Sequence, residues 1–108
     1  MPTAYKVLGQ ANPSATTATT LYTVPSSTET VVSTIVVTNQ TTAGTYRLAI
    51  RPDGESLAAK HYLAYDVALA ANETHTYTIG ATLNAADVIT VYASSTGQSF
   101  NAFGSEIS

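Results

Sequence analysis

Apolar and polar residues alternate with a period of two along most of the chain, the spacing of half-buried β-strands. Thr45–Arg51 shows it most cleanly: Tyr46, Leu48 and Ile50 point one way, and Arg47, Ala49 and Arg51 the other. Thr28–Asn39 is the strongest element. It is nearly continuous in β-branched residues, which predicts a central strand buried on much of both faces. The same reading predicts strands at Tyr5–Gln10, Thr19–Val24, Lys60–Leu69, Thr74–Ile79, Val88–Ala93 and Ser99–Ile107. In the fifth strand it points Leu63, Tyr65 and Val67 inward. In the sixth it puts His75, Tyr77 and Ile79 on one face.

Turn chemistry separates these runs. Pro13 lies in a loop of small and polar residues, Pro25 stops the second strand, and Thr41-Thr42-Ala43-Gly44 is a hairpin-length turn. Pro52-Asp53-Gly54 is a strong turn signal, and Glu55–Ala59 reads as a short helical turn. Ala70–Glu73, Asn84–Asp87 and Ser94–Gln98 close the remaining strands. No segment keeps a helical period beyond two turns, which argues against a βαβ fold. The expected fold is all-β: a single antiparallel β-sandwich, jelly-roll or immunoglobulin-like, of about eight strands. Its predicted core is Val32, Ile35, Val37, Leu48, Ile50, Leu63, Val67, Ile79, Val88, Val91 and Phe103.

Length makes this one domain, residues 1–108, with residues 1–4 as a short N-terminal arm that carries no core pattern. A core of this size is modest, and the absence of cysteine removes disulfides and cysteine-based zinc sites as supports. Oligomerisation is the remaining common route to extra stability. Only 10 % of residues are charged, against about 25 % in an ordinary soluble domain. Nineteen threonines supply much of the polarity instead. A surface so poor in charge is weakly defended against contact and suits a protein that ends up covered by partners.

The net charge is −3, and Lys6, Arg47, Arg51 and Lys60 are the only basic side chains. A phosphate backbone needs several clustered cations, so nucleic acid is not an expected partner. No apolar run approaches the roughly 20 residues of a membrane span. The opening residues lack the apolar stretch of a signal peptide, which places synthesis and residence in a cytosol. Asn39-Gln40-Thr41 and Asn72-Glu73-Thr74 match the glycosylation triplet and read as turn residues.

His61 and His75 invite a metal reading, with Asp66 or Glu73 as a third ligand, but nothing in the spacing demands it. Strand histidines that bond locally are the simpler reading, and no metal or cofactor is expected. No serine sits in a nucleophile elbow, the glycines are scattered singly, and Asp53 and Glu55 flank Gly54 in a solvated turn. The chain is therefore not expected to be an enzyme. With no tryptophan and with tyrosines at inward or half-buried positions, a sugar-binding module is a lesser alternative. Arg47 and Arg51 project from one face of one strand. They are candidate protein contacts, because charge is scarce elsewhere and the guanidinium fork grips carboxylates. Met1, Pro2, Thr3 and Ala4 are the other candidates, an arm expected to order only against a partner.

Several runs carry a family likeness. They are Tyr-Lys-Val-Leu-Gly-Gln at 5–10 with Ala-Asn-Pro at 11–13, Leu-Tyr-Thr-Val-Pro at 21–25, Val-Val-Ser-Thr-Ile-Val-Val-Thr-Asn at 31–39, Lys-His-Tyr-Leu-Ala-Tyr-Asp at 60–66, Asp-Val-Ile-Thr-Val-Tyr-Ala at 87–93 and Phe-Asn-Ala-Phe-Gly-Ser-Glu-Ile at 100–107. Over nearly its full length the chain resembles small structural proteins of tailed phages, those of cyanophages and other aquatic phages especially, some of them similar to capsid cement proteins. The resemblance implies a β-sandwich on the outside of a virion head, bound to the major capsid protein or other virion proteins across capsomer joints. It also implies, with lattice geometry, self-association as a trimer on local three-fold axes. A tail, baseplate or fibre-adaptor protein and a lectin-like module are the alternative expectations.

Overall fold

A computed structural model describes residues 2–108. Eight strands form where the period-two runs lie: β1 (Thr3–Ala11), β2 (Thr19–Thr23), β3 (Glu29–Asn39), β4 (Gly44–Arg51), β5 (Tyr62–Leu69), β6 (Thr74–Leu83), β7 (Val88–Ala93) and β8 (Gln98–Ile107). The expected helical turn at Glu55–Ala59 is displaced. Short 3-10 turns lie on either side of it, at Pro52–Gly54 and Ala59–His61.

The strands make two four-stranded sheets, in the orders β1-β8-β3-β6 and β2-β7-β4-β5. Every pairing is antiparallel. The partners nest: β4 with β5, β3 with β6, β2 with β7 and β1 with β8. A long hairpin folded over on itself gives this order, and the fold is a jelly-roll sandwich. Loops gather at the two ends. At one, Asn39 is fully buried and its amide donates to the carbonyls of Thr42 and Leu69, tying the β3–β4 turn to β5. At the other, Asp87 accepts from the backbone amides of Asp53 and Asn84.

Val32, Ile35, Val37, Leu48, Val88 and Val91 are buried as the pattern predicts, and Tyr46, Ile89 and Phe100 join them. Ile50 and Val67 pack partly buried against this cluster. The fully buried positions of β3 lie on one face only; the outward Val31, Thr34, Val36 and Thr38 are half-buried. Three predicted core residues lie elsewhere. Leu63 and Ile79 are exposed, and Phe103 is half-buried on the outer face of the first sheet. The cause for Leu63 and Ile79 is an extra residue in the strand. β5 carries two bulges opposite Tyr46–Ala49, and β6 carries one opposite Val32–Thr34, at Gly80 with φ 59°. Each bulge resets the alternation, so the inward set becomes Ala64 and Leu69 in β5, and Ala81 and Leu83 in β6. Phe103 simply alternates outward from the buried Phe100 and Ala102.

The other two edge strands are also bulged, β1 at Leu8 and β2 at Leu21. In β2 this buries the consecutive residues Leu21 and Tyr22 together. The N-terminal residues differ from the expected free arm. Thr3 and Ala4 are the first residues of β1, paired with Ile107 and Glu106, and the Pro2 carbonyl accepts from the Ser108 amide. Met1 lies outside the described residues. Among the described residues, no helix is long and apolar enough to cross a membrane.

Candidate functional site

The outer face of the β2-β7-β4-β5 sheet carries an arginine held between two tyrosines. Arg47 of β4 sits opposite Tyr92 of β7 in register, so both side chains rise from the same face. The Arg47 guanidinium lies over the Tyr92 ring and over the Tyr65 ring, 4.2 Å from each centroid. Asp66 fixes it from the side: Arg47 Nε donates to Oδ1 at 2.6 Å and Nη2 to Oδ2 at 3.3 Å. Asp66 reaches this position with φ 51°, a left-handed conformation unusual for a side chain that carries a Cβ.

The bulges in β5 make the site. Tyr62 and Tyr65 are three positions apart, a spacing that would put them on opposite faces of a regular strand. With the extra residues, Tyr62 lies opposite Ala49 on the outer face and Tyr65 lies over Arg47. Their rings stand nearly perpendicular, 83° apart in plane and 4.8 Å between centroids. Together with Leu57, Ala58 and Ala59 they line an open depression of about 450 Å³.

The wall formed by residues 57–59 hangs on His61. This imidazole is buried, its Nδ1 accepts from the Ala58 amide at 3.0 Å, and its Nε2 faces Glu55 Oε1 at 3.1 Å. The amide fixes Nδ1 as the acceptor, so Nε2 carries the proton and donates to Glu55. The His61 bond first, and then Lys60, hold the Glu55 carboxyl below its ordinary range. Arg51 completes the support from β4: it donates to Thr90 Oγ1 at 3.0 Å and to the Glu55 carbonyl at 2.8 Å. Leu57 then shares a smaller depression with Ala49 and Thr90, so the β4–β5 connection lies across the sheet.

Arg47 and Arg51 thus project from one face as the alternation predicts, and both are occupied within the chain. They hold the surface together rather than reach out of it. Thr3 and Ala4 begin β1, in the other sheet, and Pro2 immediately precedes them. His75 bonds the Tyr46 hydroxyl through Nδ1 at 2.8 Å, and the Tyr46 hydroxyl also bonds that of Tyr77. This contact joins β4 to β6 across the sandwich. Burial first, then the Tyr77 bond, raise the Tyr46 hydroxyl well above its ordinary value. Among the described residues, no three His, Asp or Glu side chains are placed to hold a metal ion.

The first sheet presents a different outer face. Tyr5 is 86 % and Val7 47 % exposed. With Val31 and Phe103 they border a shallow groove of about 470 Å³. Outward positions of β8, β3 and β6 carry Thr, Ser, Asn, Val, Ile and Phe, with Glu29 at the start of β3 the one charge among the described residues. No family model and no curated sequence matches this chain.

Alternation alone does not show that Tyr62 and Tyr65 share a face with Arg47. The one local hint is Asp66, a residue type that tolerates left-handed backbone inside an otherwise strand-forming run.

Proposed function

We propose that this chain is a non-catalytic structural protein of a phage particle, a cement or decoration module that binds the outside of the head and stabilises contacts between capsomers. The observation that carries this reading is the outer face of the β1-β8-β3-β6 sheet, poor in charge and bearing Tyr5, Val7, Val31 and Phe103, with Lys6, paired to Glu106, the one charged residue bordering their groove. Aromatic and aliphatic groups on a face depleted in charge are the make-up of an interface core. The domain measures 44 × 27 × 20 Å. A broad face of that size exceeds the about 800 Å² that each partner gives to a standard interface. The likeness of the sequence to phage structural proteins points the same way; the jelly-roll architecture occurs in capsid and lectin domains alike and assigns no function by itself.

Modest contacts of this kind, repeated over a shell, add up through multivalency. The test is to remove the protein from particles, by stripping or gene deletion, and heat or osmotically shock them. Heads without it are expected to release DNA at a lower temperature, and re-addition is expected to restore resistance. Re-addition of Tyr5→Ser/Phe103→Ser protein is expected to restore nothing. Equally robust heads with impaired attachment would replace this reading by a tail or baseplate role.

A further inference from the structure

Tyr65 stays 57 % exposed, so burial does not account for its position. The chain nonetheless commits two bulges, a left-handed Asp66 and the Arg47 clamp to holding it beside Tyr62. The other three edge strands carry one bulge each and β5 carries two, and surplus irregularity of this kind is found where a side chain is held in a set place. The result is a rigid right-angled corner of two phenol rings on an open surface.

We propose that this corner binds a saccharide, taking one neutral hexopyranose unit of an oligosaccharide. The C–H face of a pyranose packs flat against an aromatic ring, and its hydroxyls need both donors and acceptors at the rim. Tyr65 supplies a ring, Tyr62 an upright wall, and Leu57–Ala59 a low apolar side. The volume of about 450 Å³ is in the range of small-ligand sites, and the open side leaves room for the rest of a glycan chain. Groups adjoining the corner in sequence provide both hydrogen-bonding senses: the carboxylates of Glu55 and Asp66 accept, and the Lys60 ammonium donates. With Arg47 these make two acids and two bases, mutually paired, so the local charge cancels and favours a neutral polyol over an ion. Because the rings are already fixed, little side-chain entropy is lost on binding.

This inference concerns the isolated chain and does not rest on the particle role. The full-length protein is titrated with neutral gluco-, galacto- and manno-oligosaccharides at up to about 10 mM, read by saturation-transfer NMR. N-acetyl-leucinamide and N-acetyl-phenylalaninamide serve as apolar side-chain probes. At least one saccharide series is expected to receive saturation. Tyr65→Ala is expected to weaken it by about tenfold or more, while Tyr65→Phe keeps most of it. Tyr5→Ala, on the opposite sheet, is expected to change nothing. Melting temperature checks that each variant is folded. The proposal is overturned if no saccharide binds, if only the amino-acid amides bind, or if folded Tyr65→Ala protein binds as the parent does.

Discussion

The Tyr22 hydroxyl donates to the Glu106 carboxylate at 2.5 Å, joining β2 of one sheet to β8 of the other. Thr30 Oγ1 lies 2.9 Å from the same hydroxyl, and Lys6 donates to Glu106 from β1 at 3.1 Å. A polar chain therefore runs from one edge of the first sheet into the space between the sheets. Burial first, then the Glu106 bond, push the Tyr22 hydroxyl up to about 12. The Tyr22 bond first, and then Lys6, hold Glu106 below its ordinary range, against a smaller opposing effect of burial.

These shifts set both limbs of the pH profile. Tyr22 is raised, so its contribution is complete below its ordinary value of 10 and is lost as pH climbs from there through about 12. Glu106 is lowered, so its contribution is complete above 4.5 and is lost as pH falls below that. Thermal melts across pH are expected to show both declines. Tyr22→Phe is expected to cost about 1–3 kcal/mol at neutral pH and to flatten the alkaline limb. Some slope is expected to remain, because Tyr46 is raised as well. Glu106→Gln is expected to reduce the acid limb, with some slope left because Glu55 is lowered as well.

Ile35 and Leu63 form a matched pair. Ile35 is fully buried, and Ile35→Ala is expected to cost about 2–5 kcal/mol in urea unfolding. Leu63 is half exposed at a bulge, and Leu63→Ala is expected to change stability by less than about 0.5 kcal/mol. Equal costs would mean that β5 keeps regular alternation.

Gly104 and Gly80 separate steric from conformational need. A Cβ on Gly104 would lie 2.0 Å from the Val31 carbonyl oxygen of the neighbouring strand, where nothing flexible can yield. Gly104→Ala is expected to cost about 3 kcal/mol. Gly80 has open space around its Cβ position but a φ of 59°, so Gly80→Ala is expected to cost about 1 kcal/mol.

His61 tests whether histidine serves the loop or a metal. His61→Ala removes the acceptor of the Ala58 amide and a buried ring. The expected loss is on the order of 2 kcal/mol, with the 55–61 segment becoming more protease-sensitive. Chelators are expected to leave the melting temperature of the parent protein unchanged.

Arg47→Lys keeps the charge but not the plane. It is expected to lower the melting temperature and weaken the near-ultraviolet dichroism of the tyrosines, because an ammonium cannot stack between two rings while donating twice to Asp66.

The strands were legible because alternation survives in β4, where Tyr46 and Leu48 fall on the buried face, and in β8, although there the inward face carries Phe100 rather than the expected Phe103. The failures concentrate where an extra residue enters. Leu63 and Ile79 have the same side-chain chemistry as true core residues, and only the backbone count opposite β4 and β3 turns them outward. Position in the strand order was equally hidden: Thr3 and Ala4 look structureless alone, but they have β8 to pair with. The site suffered from the same blindness. Arg47 was placed on the right face, while its tyrosine and aspartate partners depend on bulges that composition does not announce.

The bulged edges also bear on how this protein can be stored at high concentration. Its central strand, Glu29–Asn39, has the make-up of a fibril-forming segment: β-branched, nearly uncharged and free of proline. In the fold that strand is walled in by β8 and β6. Each strand left at a border, β1, β2, β5 and β6, is kinked by its extra residue and offers an incoming chain no straight ladder to copy. Growth by adding strand to strand is thereby disfavoured in both sheets. Folded copies are steered away from edge-to-edge addition and toward contact through the broad faces.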